Sequence, residues 1–344
     1  MPGKIVAQQA SLDEWVAFIG GVYLDVNQEM EPLDLWMQVV NDTSILSENI
    51  RRAELDQAEK RVVKLFGWIC SFVGKYLHSP SPIGPKSDPI GELLRTRVDD
   101  FTGLGESYAK WILQKYPGVC SKCGKDRCHC PVYRKEIERR KEDPDAYRAL
   151  EERFQQDLEG AKVKYTKTDG QINQETTNFL AQPIDNLINM LIKIYGSGHY
   201  DLDIWKITAH LQEEVGEVAL EILKLTELKW LKDHNHTFKT VVEKAVQRKI
   251  GEGMTIGPSI RAEIERLKND DDALFRLFQE STVAKLKEEL ADVFTWISAI
   301  LHKIGEERRT NLQVKEEYYL WKLLSYHCVT QARTPICRAC GSQE

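Results

Sequence analysis

Two acidic stretches limit what this chain can fold into more than any other feature. The first is HLQEEVGEVALEI, His210 to Ile222, and the second is KLKEELADVFTWI, Lys285 to Ile297. Wound at roughly 100° per residue, the first places Leu211, Val215, Val218, Ile222 and Leu225 on one apolar stripe. The second does the same with Leu286, Leu290, Val293, Ile297 and Ile300. Glu214, Glu217 and Glu221 line an edge of the first stripe, and Glu289 and Asp292 flank the other. Carboxylates at the margin of a core face lose hydration and repel one another, so they need cations or donors. Packing the two helices together would gather Glu214, Glu217, Glu289 and Asp292 at one place. A helical bundle builds sites for hard divalent ions in this way, because such ions favour oxygen ligands. A lone Glu-rich face is more often simply solvated, but two pairs in matching phase against their stripes favour a metal.

Helical periodicity dominates, alternating strand patterns are scarce, and the expectation is an all-α protein. A length of 344 residues suits two domains. The net charge of −6 gives no case for a nucleic-acid scaffold. No apolar run is long enough to span a membrane, and the first residues lack a signal-peptide core. The chain therefore reads as cytoplasmic.

Seven of the eight cysteines cluster. Cys120, Cys123, Cys128 and Cys130 form CxxCxxxxCxC, and four thiolates at that spacing suit a structural tetrahedral zinc. An iron–sulfur cluster is the other occupant such ligands accept. Cys328, Cys337 and Cys340 are candidates for a second zinc, His327 being an awkward fourth ligand beside Cys328. Cys70 reads as a small buried side chain.

The order of weak matches along the chain points to an internal repeat. Asp34-Leu35-Trp36 resembles Asp203-Ile204-Trp205, and Glu48 follows Trp36 by twelve residues, as Glu217 follows Trp205. Phe66-Gly67-Trp68-Ile69 resembles Phe294-Thr295-Trp296-Ile297. Trp111 and Tyr116 precede Cys120 as Trp321 and Tyr326 precede Cys328. On this alignment Ser44 and Ile45 replace Glu213 and Glu214, while Arg61 and Lys64 replace Glu289 and Asp292. Cations cannot ligate a metal, so the first copy should be chemically dead. Arg61 and Lys64 would neutralise the acidic helices or touch substrate phosphate, with a plain surface pair as the alternative.

The division that follows is a degenerate helical repeat over 1–131 ending in the first cysteine cluster, a charged connector over 132–180, and an intact repeat over 181–344. The intact repeat carries an insertion of about 225–281 and a cysteine-containing tail. Trp205, Trp230 and Trp296 lie at helical spacing and read as core. GEGMTIGP, with Gly251, Gly253 and Gly257, lacks the Lys-Ser/Thr of a phosphate loop and reads as a turn.

Glu213-Glu214-Val215-Gly216-Glu217, followed by Glu289-Leu290-Ala291-Asp292, resembles the EExxE and ExxD motifs of MazG-like nucleotide pyrophosphohydrolases. The resemblance implies magnesium-dependent hydrolysis of a nucleoside triphosphate, NTP or dNTP, to monophosphate and pyrophosphate, with manganese able to substitute. Glu214, Glu217, Glu289 and Asp292 match the family's ligand and catalytic positions, with Glu213 in a supporting role. Because such domains generally assemble as dimers, the resemblance also implies that the tandem bundles form an intramolecular pseudo-dimer, which could stand alone or pair again as a homodimer. The family's motifs normally lie on consecutive helices, whereas here the insertion separates them. The rival expectation is a non-catalytic nucleotide-binding or regulatory protein that keeps the fold and engages a partner through the insertion and zinc segments.

Overall fold

The computed structural model describes residues 10–22, 30–77, 107–116, 182–196, 202–233 and 270–312, with 118, 120, 125, 127–130 and a few isolated positions besides. Among these every regular element is a helix, and no helix is long and apolar enough to cross a membrane. In chain order they are α1 (Leu12–Val22), α2 (Pro32–Arg51), α3 (Leu55–Tyr76), α4 (Tyr108–Lys115), α5 (Ile184–Tyr195), α6 (Ile204–Asp233) and α7 (Asp271–Leu312).

Each boundary has a local cause. Pro32 opens α2 at a position where its missing N–H is not needed. Ala53 turns the chain with φ 57°, and its amide, with that of Glu54, caps the last carbonyls of α2. A connection of Arg52, Ala53 and Glu54 thus folds α2 and α3 into an antiparallel hairpin. Ser107 caps α4 by accepting from Lys110 N at 3.0 Å. Asp13 of α1 takes the Ser107 hydroxyl at 2.6 Å and the Tyr108 amide at 2.9 Å, so α1 and α4 are tied at one end.

The core is a four-helix arrangement in which α2 packs on α3, α6 on α7, and the two pairs meet where α6 crosses α2. Smaller helices dress the outside: α1 lies on α3, α5 lies on α7, and α4 bridges α1 and α7. Gly74 lets α1 come close, since a Cβ there would sit 3.3 Å from Val16 O. Leu211, Val215, Val218, Ile222 and Leu225 are all buried, as are Leu286, Leu290, Val293, Ile297 and Ile300. The 3.6-residue pattern therefore located both stripes. Phe66 of α3 and Phe294 of α7 meet with ring centroids 6.2 Å apart, and Tyr108 joins them edge-on to Phe294 at 5.8 Å.

Three sequence expectations need restating. Trp205 and Trp230 are exposed, at 60% and 51%, because they occupy the outer face of α6 with Leu223, a face turned from the stripe. Trp296 is half-buried at the edge of α7 rather than within the core. Parts of the expected insertion are continuations of α6 and α7, where Leu274 and Phe275 pack against Leu228 and Leu231. The connector, the glycine-rich turn and the C-terminal cysteines fall outside the described residues, apart from isolated connector positions.

Candidate metal centre

The packing of α6 on α7 brings the acidic residues together because each lies at the edge of a stripe that the other helix covers. Ligand oxygens of Glu214, Glu289 and Asp292 all lie within 4.8 Å of one another. Glu217 stands beside Glu289, one turn along α6 from Glu214. Glu289 is 1% exposed, and Lys285, one turn before it on α7, places Nζ 2.5 Å from its Oε1.

Like charges in a half-buried place resist ionisation. Burial pushes the Glu214 carboxyl up to about 7, and Asp292, Glu289 and Glu217 add to the rise, while a bond from Trp296 Nε1 to Oε1 at 3.3 Å opposes it. Burial also raises Glu217, helped by its contact with Glu289. Asp292 is raised by burial despite two donors that favour its charge. Those donors are Lys115, with Nζ 2.5 Å from Oδ2, and the Tyr116 hydroxyl, which donates to Oδ1. Lys115 also lies 3.1 Å from Glu288 Oε1. Burial works against the charge on Lys285, but Glu289 and Glu288 outweigh it and raise its pKa.

Glu213 and Glu221 lie to either side. Glu213 is exposed and faces His210 at 3.3 Å, and the His210 ring stacks on Trp296 with centroids 4.7 Å apart. Glu221 is buried and takes Lys224 at 2.6 Å. The structure thus gathers Glu214, Glu289 and Asp292, sets Glu217 beside Glu289 but outside that group, and leaves Glu213 and Glu221 apart.

Arg61 and Lys64 meet neither acidic helix among the described contacts. Arg61 Nη1 binds Asp42 Oδ1 at 2.6 Å, and Lys64 stands 3.6 Å from the same oxygen. Asp42 is 1% exposed, so this is a carboxylate sunk in the α2–α3 hairpin with its own cations. Glu48 pairs with Arg51 and Arg52, which hold its carboxyl down to about 2.

In the first cysteine segment, Sγ atoms of Cys120, Cys128 and Cys130 lie within 4.8 Å of one another. Cys123 lies outside the described residues. The Cys128 amide donates to Ile194 O at 2.7 Å, and Tyr116 meets Tyr195 edge-on at 5.8 Å. The thiol group is therefore anchored to the end of α5 next to the residues that reach Asp292.

Sequence reasoning missed Lys115, Tyr116, Lys285 and Trp296 as parts of this centre. Lys285 carried a local signal, four residues before Glu289, and Trp296 sits four after Asp292 on the same face. Lys115 and Tyr116 are 177 and 176 positions from Asp292 and carried none. No family model, curated protein or solved structure matches the chain.

Proposed function

We propose that this protein is a divalent-metal-dependent nucleoside triphosphate pyrophosphohydrolase of the MazG-like kind, yielding monophosphate and pyrophosphate. The observation that carries the reading is the convergence of Glu214, Glu289 and Asp292 oxygens from two helices. An all-oxygen donor set with clustered negative charge fits magnesium or manganese and suits neither a thiophilic ion nor a Glu-x-x-His di-iron site. Glu214, Glu289 and Asp292 would hold the ions, with Glu217 beside them. Ions bound there would screen the phosphates and activate water for attack at the α–β linkage. The chain's own part is to hold the acids in place: Trp296 orients Glu214, while Lys285 balances Glu289.

The fused-pair architecture belongs to the same proposal. What supports it is that α1 lies on α3 as α5 lies on α7, with α2 packed against α6. Phe66 and Phe294, which the repeat aligns, touch each other, as equivalent residues do near a two-fold axis. In the first copy Arg61, which the repeat aligns with Glu289, is a cation paired with Asp42 and offers no ligand. The three thiols, with Cys123, would hold a structural zinc.

The test is incubation of the full chain with each NTP and dNTP and magnesium, followed by detection of pyrophosphate and monophosphate. Glu214→Gln and Asp292→Asn should both abolish product while leaving helicity intact. Nucleotide binding without product would favour a regulatory protein instead.

A further inference from the structure

Both oxygens of Asp292 are already engaged by donors that come from α4 and the residue after it, not from α6 or α7. The ammonium of Lys115 is on Oδ2 and the phenol of Tyr116 is on Oδ1. Asp292 is also one of the three acids whose oxygens converge. A divalent ion taking Asp292 as a ligand would stand within a few ångströms of that ammonium, where like charges repel strongly. The ion and the ammonium therefore compete for the charge of Asp292, and Lys115 has a second berth 3.1 Å away at Glu288 Oε1, on a carboxylate outside the converging group. Its side chain is 20% exposed, so the shift needs no opening of the core.

We propose that Lys115 is an internal counter-ion of the cage: it holds the place at Asp292 in the metal-free chain and withdraws toward Glu288 when a divalent ion enters. Lys115 is thus a positioning residue that sets the metal concentration at which the site fills. The proposal rests on the metal-cage reading, and its test keeps the two apart by measuring metal binding without nucleotide.

The probe is Mn2+ alone, titrated into the full chain by calorimetry. Lys115→Met keeps the apolar stem and removes the charge. It should bind Mn2+ about tenfold more tightly than the wild type and melt at a lower temperature without metal, and Lys115→Arg should restore the weaker affinity. If Lys115 instead holds Asp292 in its binding position, Lys115→Met will bind Mn2+ equally or less tightly, and the proposal is overturned. A second measurement needs no variant. Amine acylation of the wild-type chain, read by peptide mass spectrometry, should rise at Lys115 when Mg2+ is added and stay constant at exposed Lys206. Unchanged labelling at Lys115 also overturns the proposal. A wild type that takes up no Mn2+ at all defeats the cage reading itself, and the counter-ion with it.

Discussion

Trp36 donates its indole Nε1–H to the backbone carbonyl of Val215 at 2.9 Å, joining residues 179 positions apart. The indole is wholly buried and meets Phe72 edge-on at 5.2 Å. It therefore pins α2 to α6 directly beside Glu214. Trp36→Phe removes the donor and leaves a gap, and should cost about 2–3 kcal/mol in denaturant melts. Trp205→Phe, at the aligned but exposed position, should change stability by less than about 0.5 kcal/mol. Equal effects of the two would mean that the first tryptophan does not join the halves.

Glu214 gives a prediction with opposite signs for stability and function. Its carboxyl rises from the ordinary 4.5 to about 7 on folding. Folding thus favours the protonated form, a contribution fully present below about 4.5 and lost as pH climbs through about 7. Glu214→Gln mimics the protonated form at every pH. It should stabilise the metal-free chain by about 1 kcal/mol at pH 8, after allowance for its partial exposure, and by nothing at pH 4. The same variant should lose Mn2+ binding. Thermal melts at the two pH values, with and without metal, check both signs.

Metal affinity should itself depend on pH. The raised carboxyls of Glu214, Glu217 and Asp292 must shed protons before they can ligate. Affinity for Mn2+ should climb about tenfold per pH unit below about 7, where one proton is displaced, and level off above about pH 8. Calorimetry from pH 5.5 to pH 8.5 would show this, and an affinity flat across that range would exclude these acids as ligands.

Much of this centre could be read from the chain because helical phase is a local property. The stripes of α6 and α7 fixed which edge of each helix carries its acids, and packing stripe on stripe then brought Glu214, Glu289 and Asp292 together. What phase could not reveal was the arrival of a third element. Lys115 and Tyr116 end a helix of eight residues whose direction is set by Asp13 at its start and Tyr195 at its end, both distant in sequence. Asp42 was invisible for a related reason. A carboxylate in an apolar stripe reads as a break in the pattern unless its partners, one helix away, are known. Trp205 and Trp230 misled in the other direction, since burial follows the face of the helix and not the residue type.

The first cysteine segment should carry one zinc per chain. Cys120, Cys128 and Cys130 already converge, and the segment is fastened to Ile194. Elemental analysis of the purified chain should find at least one zinc, and Cys128→Ser should lower that content. Chelation should cost a few kcal/mol, because ligand binding to the folded state is folding free energy. Less than one zinc per chain would remove the site.

Arg61 separates a structural pair from a substrate contact. Asp42 is 1% exposed, its Oδ1 holds Arg61 Nη1 at 2.6 Å, and its Oδ2 has no hydrogen-bond partner. Removing the guanidinium leaves a buried carboxylate with only Lys64, 3.6 Å away, for balance. Arg61→Met should therefore cost about 2–3 kcal/mol, somewhat less than the loss of a wholly buried partner. Arg61→Met with Asp42→Asn should recover part of that loss, since a neutral amide tolerates burial better than an unpaired charge. Under the proposed pyrophosphohydrolase activity, with its acids on α6 and α7, neither change should alter the substrate KM. A raised KM with unchanged stability would instead place Arg61 on the substrate's phosphates, and the first half would then share in the chemistry it lacks the acids to perform.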